Sequence, residues 1–263
     1  MINKLANVHK GATIAEDVVV EPFSTIYEDV TIGSGCWIGP NVVILNGARI
    51  GNNVKIFPGA IISGDPQDLK YKGEYTTAEI GDNTVIREYV TVNKGTKANN
   101  KTVVGQDCLI QSYAHIAHDC LLHDRVIIGS YAGLAGEVEV DNWAIISPGC
   151  LVHQFVRVGA HVMIQAGSKV GKDVPPFSMA GREPVTYTGI NSIGLRRRGF
   201  DNDTIYAVQE VYRIIYQRGL NISDALDFVE ANLPASKERD EIILFIRESK
   251  RGIIRGYFDV KEA

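Results

Sequence analysis

The sequence repeats with a period of six residues over most of its length. Large aliphatic residues recur at every sixth position from Val8 to Ile62, from Ile80 to Val92 and from Val104 to Val170. A small or β-branched residue follows nearly every one of them after four positions, and glycine often follows directly, as in Ile32-Gly33. A chain that turns sharply every six residues needs such residues at its corners. The repeat therefore predicts short strands joined by tight turns.

Three such repeats close one triangular coil of 18 residues, the product of three and six, and successive coils stack so that their backbones pair. A period of six with these residue types resembles the hexapeptide-repeat left-handed parallel β-helix. The hand comes from that resemblance, because the general rule for parallel crossovers favours the right hand. We expect a mainly β fold, with the β-helix covering residues 1–176.

Two segments interrupt the repeat, residues 63–79 and residues 97–103, and we predict that both leave the coil as loops. The repeats end at Pro175-Pro176, after which residues 177–190 are predicted to be a linker. A small α-helical domain is expected over residues 191–263. Its predicted helices are Asp201–Arg218, a second helix that Ser223 caps and that runs through Leu233, and a third helix that Ser236 caps.

The composition excludes several classes of protein. With 263 residues, 45% of them hydrophobic, the chain can bury a sizeable core. A net charge of −4 gives no indication of nucleic acid or of an anionic membrane surface as partner. No apolar run approaches the length of a membrane span, and the N-terminal residues contain no signal-peptide core, so we expect a cytoplasmic protein without membrane insertion. The four cysteines form no CxxC motif and are predicted to be small buried residues: Cys36, Cys108, Cys120 and Cys150.

The stretch Tyr113–Leu122 carries the strongest chemical signal. His115, His118 and Asp119 occupy outward positions of the repeat, which the interior does not require. Three titratable side chains in five residues on a stiff scaffold favour a general base with helpers. The alternative is that polar residues scattered over a solenoid surface fell together by chance.

Stacking adds further residues to this site. His118 plus 18 is Gly136, and Gly136 plus 18 is Gln154, so these three residues should form one column, next to Glu137 and His153. A glycine beside the histidine leaves space and an accessible backbone N–H, which suits a developing oxyanion. Asn93 comes beside the same column if residues 98–103 bulge out of the coil.

Several motifs together resemble a known family. They are His115–Cys120, the loop Gln67–Tyr71, Val152–Phe155, Asp173–Pro176 and Gly194–Phe200. In this order they are similar to the acyl-carrier-protein-dependent UDP-N-acetylglucosamine O-acyltransferases of lipid A biosynthesis. The repeats alone are shared with many acetyltransferases, whereas the loop, the histidine motif and the arginine cluster are more specific.

The resemblance implies transfer of a 3-hydroxyacyl group from acyl carrier protein to the 3-hydroxyl of UDP-N-acetylglucosamine. His118 would be the general base, Asp119 would orient it, and the Gly136 N–H would receive the oxyanion. No cofactor, metal or covalent intermediate is implied. Relatives of this kind are homotrimers with active sites between subunits.

The resemblance also implies roles for residues that contact substrate. Met163 and Ala166 fall where relatives set the length of the acyl chain, and the small Ala166 favours a long chain. Guanidinium groups of the arginine cluster suit phosphate. The expected substrate contacts are Gln67, Asp68, Lys70, Asn93, His115, Glu137, His153, Gln154, Asn191, Arg197 and Arg198.

Three departures leave alternatives open. Several relatives have histidine at the positions of Glu137 and Asn93 and an acidic residue at that of Ile193. Glu137 could favour a 3-amino sugar and amide formation. A coenzyme A-dependent acetyltransferase is disfavoured by the 67–71 loop and the C-terminal helices. A zinc hydratase would need a third ligand beside His115 and His118. A non-enzymatic solenoid would show flat rows of one residue type, which this sequence lacks.

Overall fold

Short parallel strands stack into three sheets that form the sides of a triangular prism. This is a computed structural model, and it describes residues 1–256. Sheet I contains β1 (Asn7–Val8), β4 (Thr25–Ile26), β7 (Val43–Ile44), β10 (Ile61–Gly64), β13 (Thr91–Asn93), β16 (His115–Ile116), β19 (Gly133–Leu134), β22 (Leu151–Val152) and β25 (Lys169–Val170). Sheet II contains β2 (Thr13–Ile14), β5 (Val30–Ile32), β8 (Ala48–Ile50), β11 (Thr77–Ile80), β14 (Lys101–Val104), β17 (Leu121–Leu122), β20 (Glu139–Val140) and β23 (Arg157–Val158).

Sheet III closes the prism and extends beyond it. Its strands are β3 (Val19–Val20), β6 (Trp37–Ile38), β9 (Lys55–Ile56), β12 (Val85–Ile86), β15 (Leu109–Ile110), β18 (Ile127–Ile128), β21 (Ile145–Ile146), β24 (Met163–Ile164), β26 (Ser178–Gly181), β27 (Thr186–Ile190) and β28 (Arg255–Gly256). Within residues 1–256, four helices accompany it: α1 (Ser192–Arg197), α2 (Asn202–Gln217), α3 (Ile222–Asn232) and α4 (Lys237–Arg247).

The strand register confirms the repeat. Thr25 pairs with Val43, a step of 18 residues. Thr91 pairs with Ile61, a step of 30, and with His115, a step of 24. The extra twelve and six residues are loops that leave the coil, because the ladder resumes in the same register after each of them.

The large aliphatic residues of the repeat form the core. Ile38, Ile86 and Ile128 have no exposed surface, and the small positions such as Ala60 are equally buried. Each coil therefore buries its aliphatic side chains against those of the coils above and below, and this burial supplies the main driving force for folding. The four cysteines are free thiols and buried, as the sequence predicted.

The two loops differ from the predicted ones: the first is shorter, and the second has the same length but begins three residues earlier. Ser63 and Gly64 belong to β10 and residues 77–79 to β11, so the first loop covers residues 65–76. Residues 101–103 belong to β14, so the second covers residues 94–100. The predicted limits were wrong because polar residues such as Lys101 can extend a strand when a neighbouring strand pairs with them, and Lys101 pairs with Thr77.

The predicted linker over residues 177–190 is an ordered hairpin. Its first strand, β26, pairs in parallel with β24 and so continues sheet III beyond the prolines. Its second strand, β27, runs antiparallel to β26 and pairs with β28. Pro175-Pro176 ends the repeat without ending the sheet, because β26 begins only after the prolines.

The helical domain agrees with the sequence except in two places. Ser236 caps α4 as predicted, and Asp201, the first residue of the predicted helix Asp201–Arg218, is the cap of α2. Asn221, rather than Ser223, caps α3, since the Asn221 side chain accepts the Asp224 N–H. The arginine cluster ends the short helix α1 instead of beginning a helix. No helix within residues 1–256 combines the length and apolarity needed to cross a bilayer. Residues 257–263 of the predicted helical domain lie outside the described residues.

Candidate active site

The candidate base lies at the corner that joins sheets I and II. His118 and Asp119 follow β16, and their exposed fractions are only 8% and 3%. Nδ1 of His118 lies 2.8 Å from Oδ2 of Asp119. Because a carboxylate only accepts hydrogen bonds, Nδ1 carries the proton and donates it, which leaves the lone pair on Nε2. This is the tautomer that a general base requires.

Three donors from the second loop hold the carboxylate of Asp119. The Thr96 N–H donates to Oδ1 at 2.9 Å and the Thr96 hydroxyl to Oδ2 at 2.7 Å. The Asn99 N–H donates to Oδ1 at 3.1 Å. The Asp119 N–H in turn donates to the Thr102 hydroxyl at 2.8 Å. With His118 as the fourth donor, the carboxylate is fully engaged inside the protein.

Gly136 lies against the imidazole on the next coil. A Cβ at this position would meet Cε1 and Nε2 of His118 at 2.5 and 2.6 Å, so only glycine fits. The Gly136 N–H is used in none of the hydrogen bonds recorded among residues 1–256. The same hexad position holds proline, which has no N–H, at Pro22, Pro40, Pro58 and Pro148. The backbone pairing of the coil therefore does not use the N–H at this position, and at Gly136 the free N–H lies beside the base.

The first loop reaches the other side of the imidazole. Oδ2 of Asp68 lies 3.9 Å from Nε2 of His118. Gln67 and Lys70 are exposed in the same loop, and the Lys70 N–H donates to Asp68. The loop thus places one more carboxylate near the reactive nitrogen, two residues before the exposed Lys70.

Lys94 is a residue of this site that the sequence did not predict. The register of β13 on β16 pairs Thr91 with His115 and Val92 with Ile116, and Lys94 begins the loop that follows β13. The ammonium group of Lys94 lies 2.9 Å from the Asp65 carboxylate, and the Asn93 amide donates to the Asp65 carbonyl at 3.1 Å. No sequence pattern indicated this ion pair, because the point at which the second loop leaves the coil is not visible in the sequence.

The second histidine has a different environment. His115 points outward from β16 with Nδ1 2.7 Å from the Thr91 hydroxyl. Burial, and then the neighbouring His118, lower the pKa of His115. His115 is therefore neutral at physiological pH and suited to hydrogen bonding with a substrate.

The remaining predicted contacts on this corner are less enclosed. His153 is exposed and Gln154 half-buried, one coil above Gly136. Glu137 is half-buried, and its N–H donates to the His118 carbonyl at 3.0 Å. Asn93 is 6% exposed, with Oδ1 left without a partner.

The arginine cluster lies at a different corner, between sheets II and III. Nη1 of Arg198 lies 3.2 Å from Nδ1 of His161, and its guanidinium lies 5.1 Å from the centre of the Trp143 ring. Burial, followed by the charges of Arg198 and Lys237, lowers the pKa of His161 to about 4, so a neutral imidazole accepts from the guanidinium. Arg197 is exposed.

Asn191 has a structural role in this chain. Its Oδ1 caps α1 by accepting the Gly194 N–H, and its Nδ2 donates to the His161 carbonyl at 2.9 Å. The predicted chain-length residues are on a third part of the surface, Met163 in β24 and Ala166 in the corner that follows. One chain therefore does not bring the arginines, Met163 and Ala166 to the histidine corner.

The site geometry favours base catalysis without a thiol nucleophile. Cys120 follows the base pair, but its buried thiol donates to the Ala135 carbonyl, and burial raises the pKa of that thiol to about 12. No group of three or more His, Cys, Asp or Glu side chains within the described part of the chain could hold a metal ion. A histidine–carboxylate pair beside a free N–H can instead deprotonate an alcohol and stabilise an oxyanion.

Fold and site together define the class of hexapeptide-repeat acyltransferases. The profile of the bacterial transferase hexapeptide repeats matches residues 29–64 and 101–136. The profile of domain 2 of the UDP-N-acetylglucosamine O-acyltransferases matches residues 173–254. The repeat profile supports the left-handed β-helix expected from the sequence.

Comparison with individual relatives identifies the family more specifically than the two profiles do. The chain is 47% identical to the acyl-[acyl-carrier-protein]–UDP-N-acetylglucosamine O-acyltransferase of Thiobacillus denitrificans over 255 residues, 97% of this chain and 99% of the relative. The crystal structure of the UDP-N-acetylglucosamine acyltransferase of Bacteroides fragilis is 54% identical, with a TM-score of 0.95 over 97% of this chain and all of that one. The Francisella novicida enzyme is 39% identical, with a TM-score of 0.95 over 98% and 95% of the two chains. The chain belongs to the UDP-N-acetylglucosamine O-acyltransferase family.

Proposed function

We propose that this protein transfers a 3-hydroxyacyl group from acyl carrier protein to the 3-hydroxyl of UDP-N-acetylglucosamine, the first step of lipid A biosynthesis. The observation that carries the proposal is the buried His118–Asp119 pair with the free Gly136 N–H beside it. The names of the relatives support the substrate pair.

The reaction needs one base and one oxyanion site. Nε2 of His118 takes the proton of the sugar hydroxyl as its oxygen attacks the thioester carbonyl carbon. The carbonyl oxygen becomes an oxyanion, which accepts a hydrogen bond from the Gly136 N–H. Collapse of the intermediate breaks the carbon–sulfur bond, and the imidazolium returns its proton to the departing thiolate. Asp119 stabilises the imidazolium and holds the required tautomer.

The flanking residues supply binding. Gln67, Asp68 and Lys70 of the first loop would contact the sugar nucleotide, and neutral His115 would donate or accept a hydrogen bond at the acyl or sugar group. His153 and Gln154 would extend this surface one coil upward, with Glu137 beside them.

We propose a homotrimer, because the predicted substrate contacts lie on different corners of the prism. The arginine corner, with Arg197 and Arg198, and the surface of Met163 and Ala166 would complete the site only from a neighbouring subunit. The outer face of sheet I supports such packing, since Ile61 and Leu151 expose 38% and 55% of their surface. Sedimentation or light scattering of the purified protein tests the trimer directly.

The proposal places the protein in the cytoplasm, with no bound cofactor and no nucleic-acid or membrane partner. Two acceptors fit this proposal, the 3-hydroxyl sugar nucleotide and its 3-amino analogue. Glu137 adds a negative charge beside Gly136, which favours a 3-amino sugar over a hydroxyl more than a neutral side chain would. Amide formation is therefore the second candidate reaction.

The test is an assay of purified protein with 3-hydroxyacyl carrier proteins of several chain lengths. UDP-N-acetylglucosamine and its 3-amino analogue are offered side by side, and the His118→Ala variant runs in parallel. We expect transfer that the variant loses, and the preferred pair identifies the acceptor and the acyl length. Transfer from acetyl-coenzyme A but from no carrier protein would overturn the proposal.

A further inference from the structure

The second loop, residues 94–100, contacts the catalytic corner through Thr96 and Asn99 and the first loop through Lys94, Gly95 and Lys97. The loop interrupts a repeat that otherwise continues, and it orders six residues beyond the 18 that a coil needs. Ordering residues costs conformational entropy, so an inserted segment needs compensating contacts. Thr96 is 7% exposed, and both its N–H and its hydroxyl donate to Asp119.

The contacts are specific to the coil that bears His118. Glu137 and Phe155 occupy the position of Asp119 on the next two coils with the same left-handed backbone, φ 60° and 67° against 60°. Neither has an inserted loop beside it, and Phe155 is exposed. The corner therefore folds without such donors, so the donors of the loop are not a requirement of the turn itself.

We propose that Thr96 is a positioning residue for catalysis, which fixes the Asp119 carboxylate so that His118 keeps its reactive nitrogen toward the acceptor hydroxyl. This inference rests on the proposed function and deepens it. Thr96 touches no reacting atom; it acts through Asp119. The hydroxyl is the contact that matters most, because it binds Oδ2, the same oxygen that receives the imidazole N–H.

The same loop also holds the opposite side of the site. Lys94, at its first position, pairs with Asp65 at 2.9 Å, and the Thr76 hydroxyl donates to the Gly95 carbonyl. These contacts anchor both ends of the first loop, whose Asp68 lies 3.9 Å from Nε2 of His118. The second loop therefore supports both Asp119, which contacts Nδ1 of His118, and the first loop, whose Asp68 lies near Nε2 of His118.

Loss of the Thr96 hydroxyl should shift the pH dependence of the rate in one definite direction. The groups that face His118 are Asp119 from its own turn, Asp68 from the first loop, His115 from β16 and Glu137 from the next coil. Without the Thr96 hydroxyl, Oδ2 has fewer donors to share its charge and attracts the imidazolium more strongly. The acid limb of the pH–rate profile should therefore move to higher pH in Thr96→Val.

The experiment compares Thr96→Val with Thr84→Val in the full-length protein. Thr84 is a matched control, since its hydroxyl is also buried and also donates a hydrogen bond, in this case to the Gly105 carbonyl, away from the catalytic corner. We expect kcat of Thr96→Val to fall by about tenfold at neutral pH, the loss typical of one hydrogen bond to a charged group, with KM for the sugar nucleotide retained. The deficit should shrink as pH rises, and Thr96→Ser should restore the wild-type profile.

A second measurement is independent of activity. The chain has six histidines, so ring ¹⁵N signals can be followed by NMR, with His118→Ala identifying the signal of His118. An upward shift of its titration midpoint in Thr96→Val, and none in Thr84→Val, supports the positioning role even if the transfer assay fails for the wild type. Equal pH profiles and unshifted midpoints in the two variants would overturn it. If Thr96→Val does not fold, Thr96→Cys, whose thiol is a weak donor, takes its place against Thr96→Ser.

Discussion

Nδ1 of His118 lies 2.8 Å from Oδ2 of Asp119, its immediate neighbour in the chain. In a regular strand adjacent side chains point to opposite faces and cannot meet in this way. The contact exists because Asp119 adopts a left-handed backbone, φ 60°, at the corner after β16. The six-residue repeat places such a left-handed turn at most corners, and here the turn also forms the catalytic pair.

Asp119→Asn tests whether the carboxylate sets the tautomer. An amide can donate to Nδ1, which would move the imidazole proton to Nε2 and remove the base, so we expect kcat to fall by about 10²- to 10⁴-fold. Steady-state kinetics measures the loss. Asp107→Asn is a matched control, because Asp107 also occupies a left-handed corner position, φ 55°, away from the site. Similar kinetics in both variants would contradict the assigned role.

Gly136→Ala tests the close approach of the next coil. The new methyl would lie within 2.6 Å of the His118 ring, so the imidazole must move, and we expect activity to fall by about 10²-fold or more while the β-helix stays folded. Circular dichroism checks the fold and the transfer assay checks activity. Gly171→Ala, whose Cβ would meet nothing within 4 Å, should keep full activity. Normal turnover in Gly136→Ala would remove this glycine from the site.

Asp173→Ala tests how the helical domain is attached. Asp173 is 1% exposed, and its carboxylate accepts the Arg157 N–H at 2.9 Å and the Ser249 hydroxyl at 2.7 Å. Its loss leaves a buried N–H unpaired, and we expect unfolding to become easier by about 1–3 kcal/mol. Chemical denaturation measures this change. Ser249→Ala, which removes only one of the contacts, should cost less, and the reverse order would argue against the attachment.

Glu241→Gln tests a pH-dependent term in stability. Burial, followed by the charge of Asp141, raises the pKa of Glu241 to about 7 from an ordinary value of 4.5. Between these values the folded state holds a proton that the unfolded state releases, so this group lowers stability as pH rises from about 4.5 to about 7. The Tm of Glu241→Gln relative to wild type should therefore increase from pH 5 to pH 8. A difference that is constant with pH would contradict the raised pKa.

Much of the fold was predictable because the repeat is local. A large aliphatic residue every six positions and a small one four positions later are enough to indicate the coil and its interior, and Ile116 and Cys120 are buried as the repeat requires. The helix cap at Ser236 was predictable for the same reason, since a cap contacts residues two or three positions away.

Predictions failed where pairing over distance decides the structure. Residues 101–103 read as loop, yet they form a strand because Thr77–Glu79 pair with them. Residues 177–190 read as linker, yet they form a hairpin because β24 offers a free edge to β26. Neither partner is near in sequence, so no local pattern indicates the pairing.

The sequence by itself determined the coil, the corner that carries His118 and Asp119, and the column that brings Gly136 beside the imidazole, because a fixed period converts sequence distance into position in space. Only the tertiary structure decided that Thr96 and Asn99 hold the Asp119 carboxylate, that Lys94 pairs with Asp65, and that Arg198 stacks on Trp143 at another corner. These contacts depend on how far two inserted loops depart from the coil and where they return. Backbone pairing and packing between residues distant in the chain set that geometry, and the six-residue period of the sequence does not predict it.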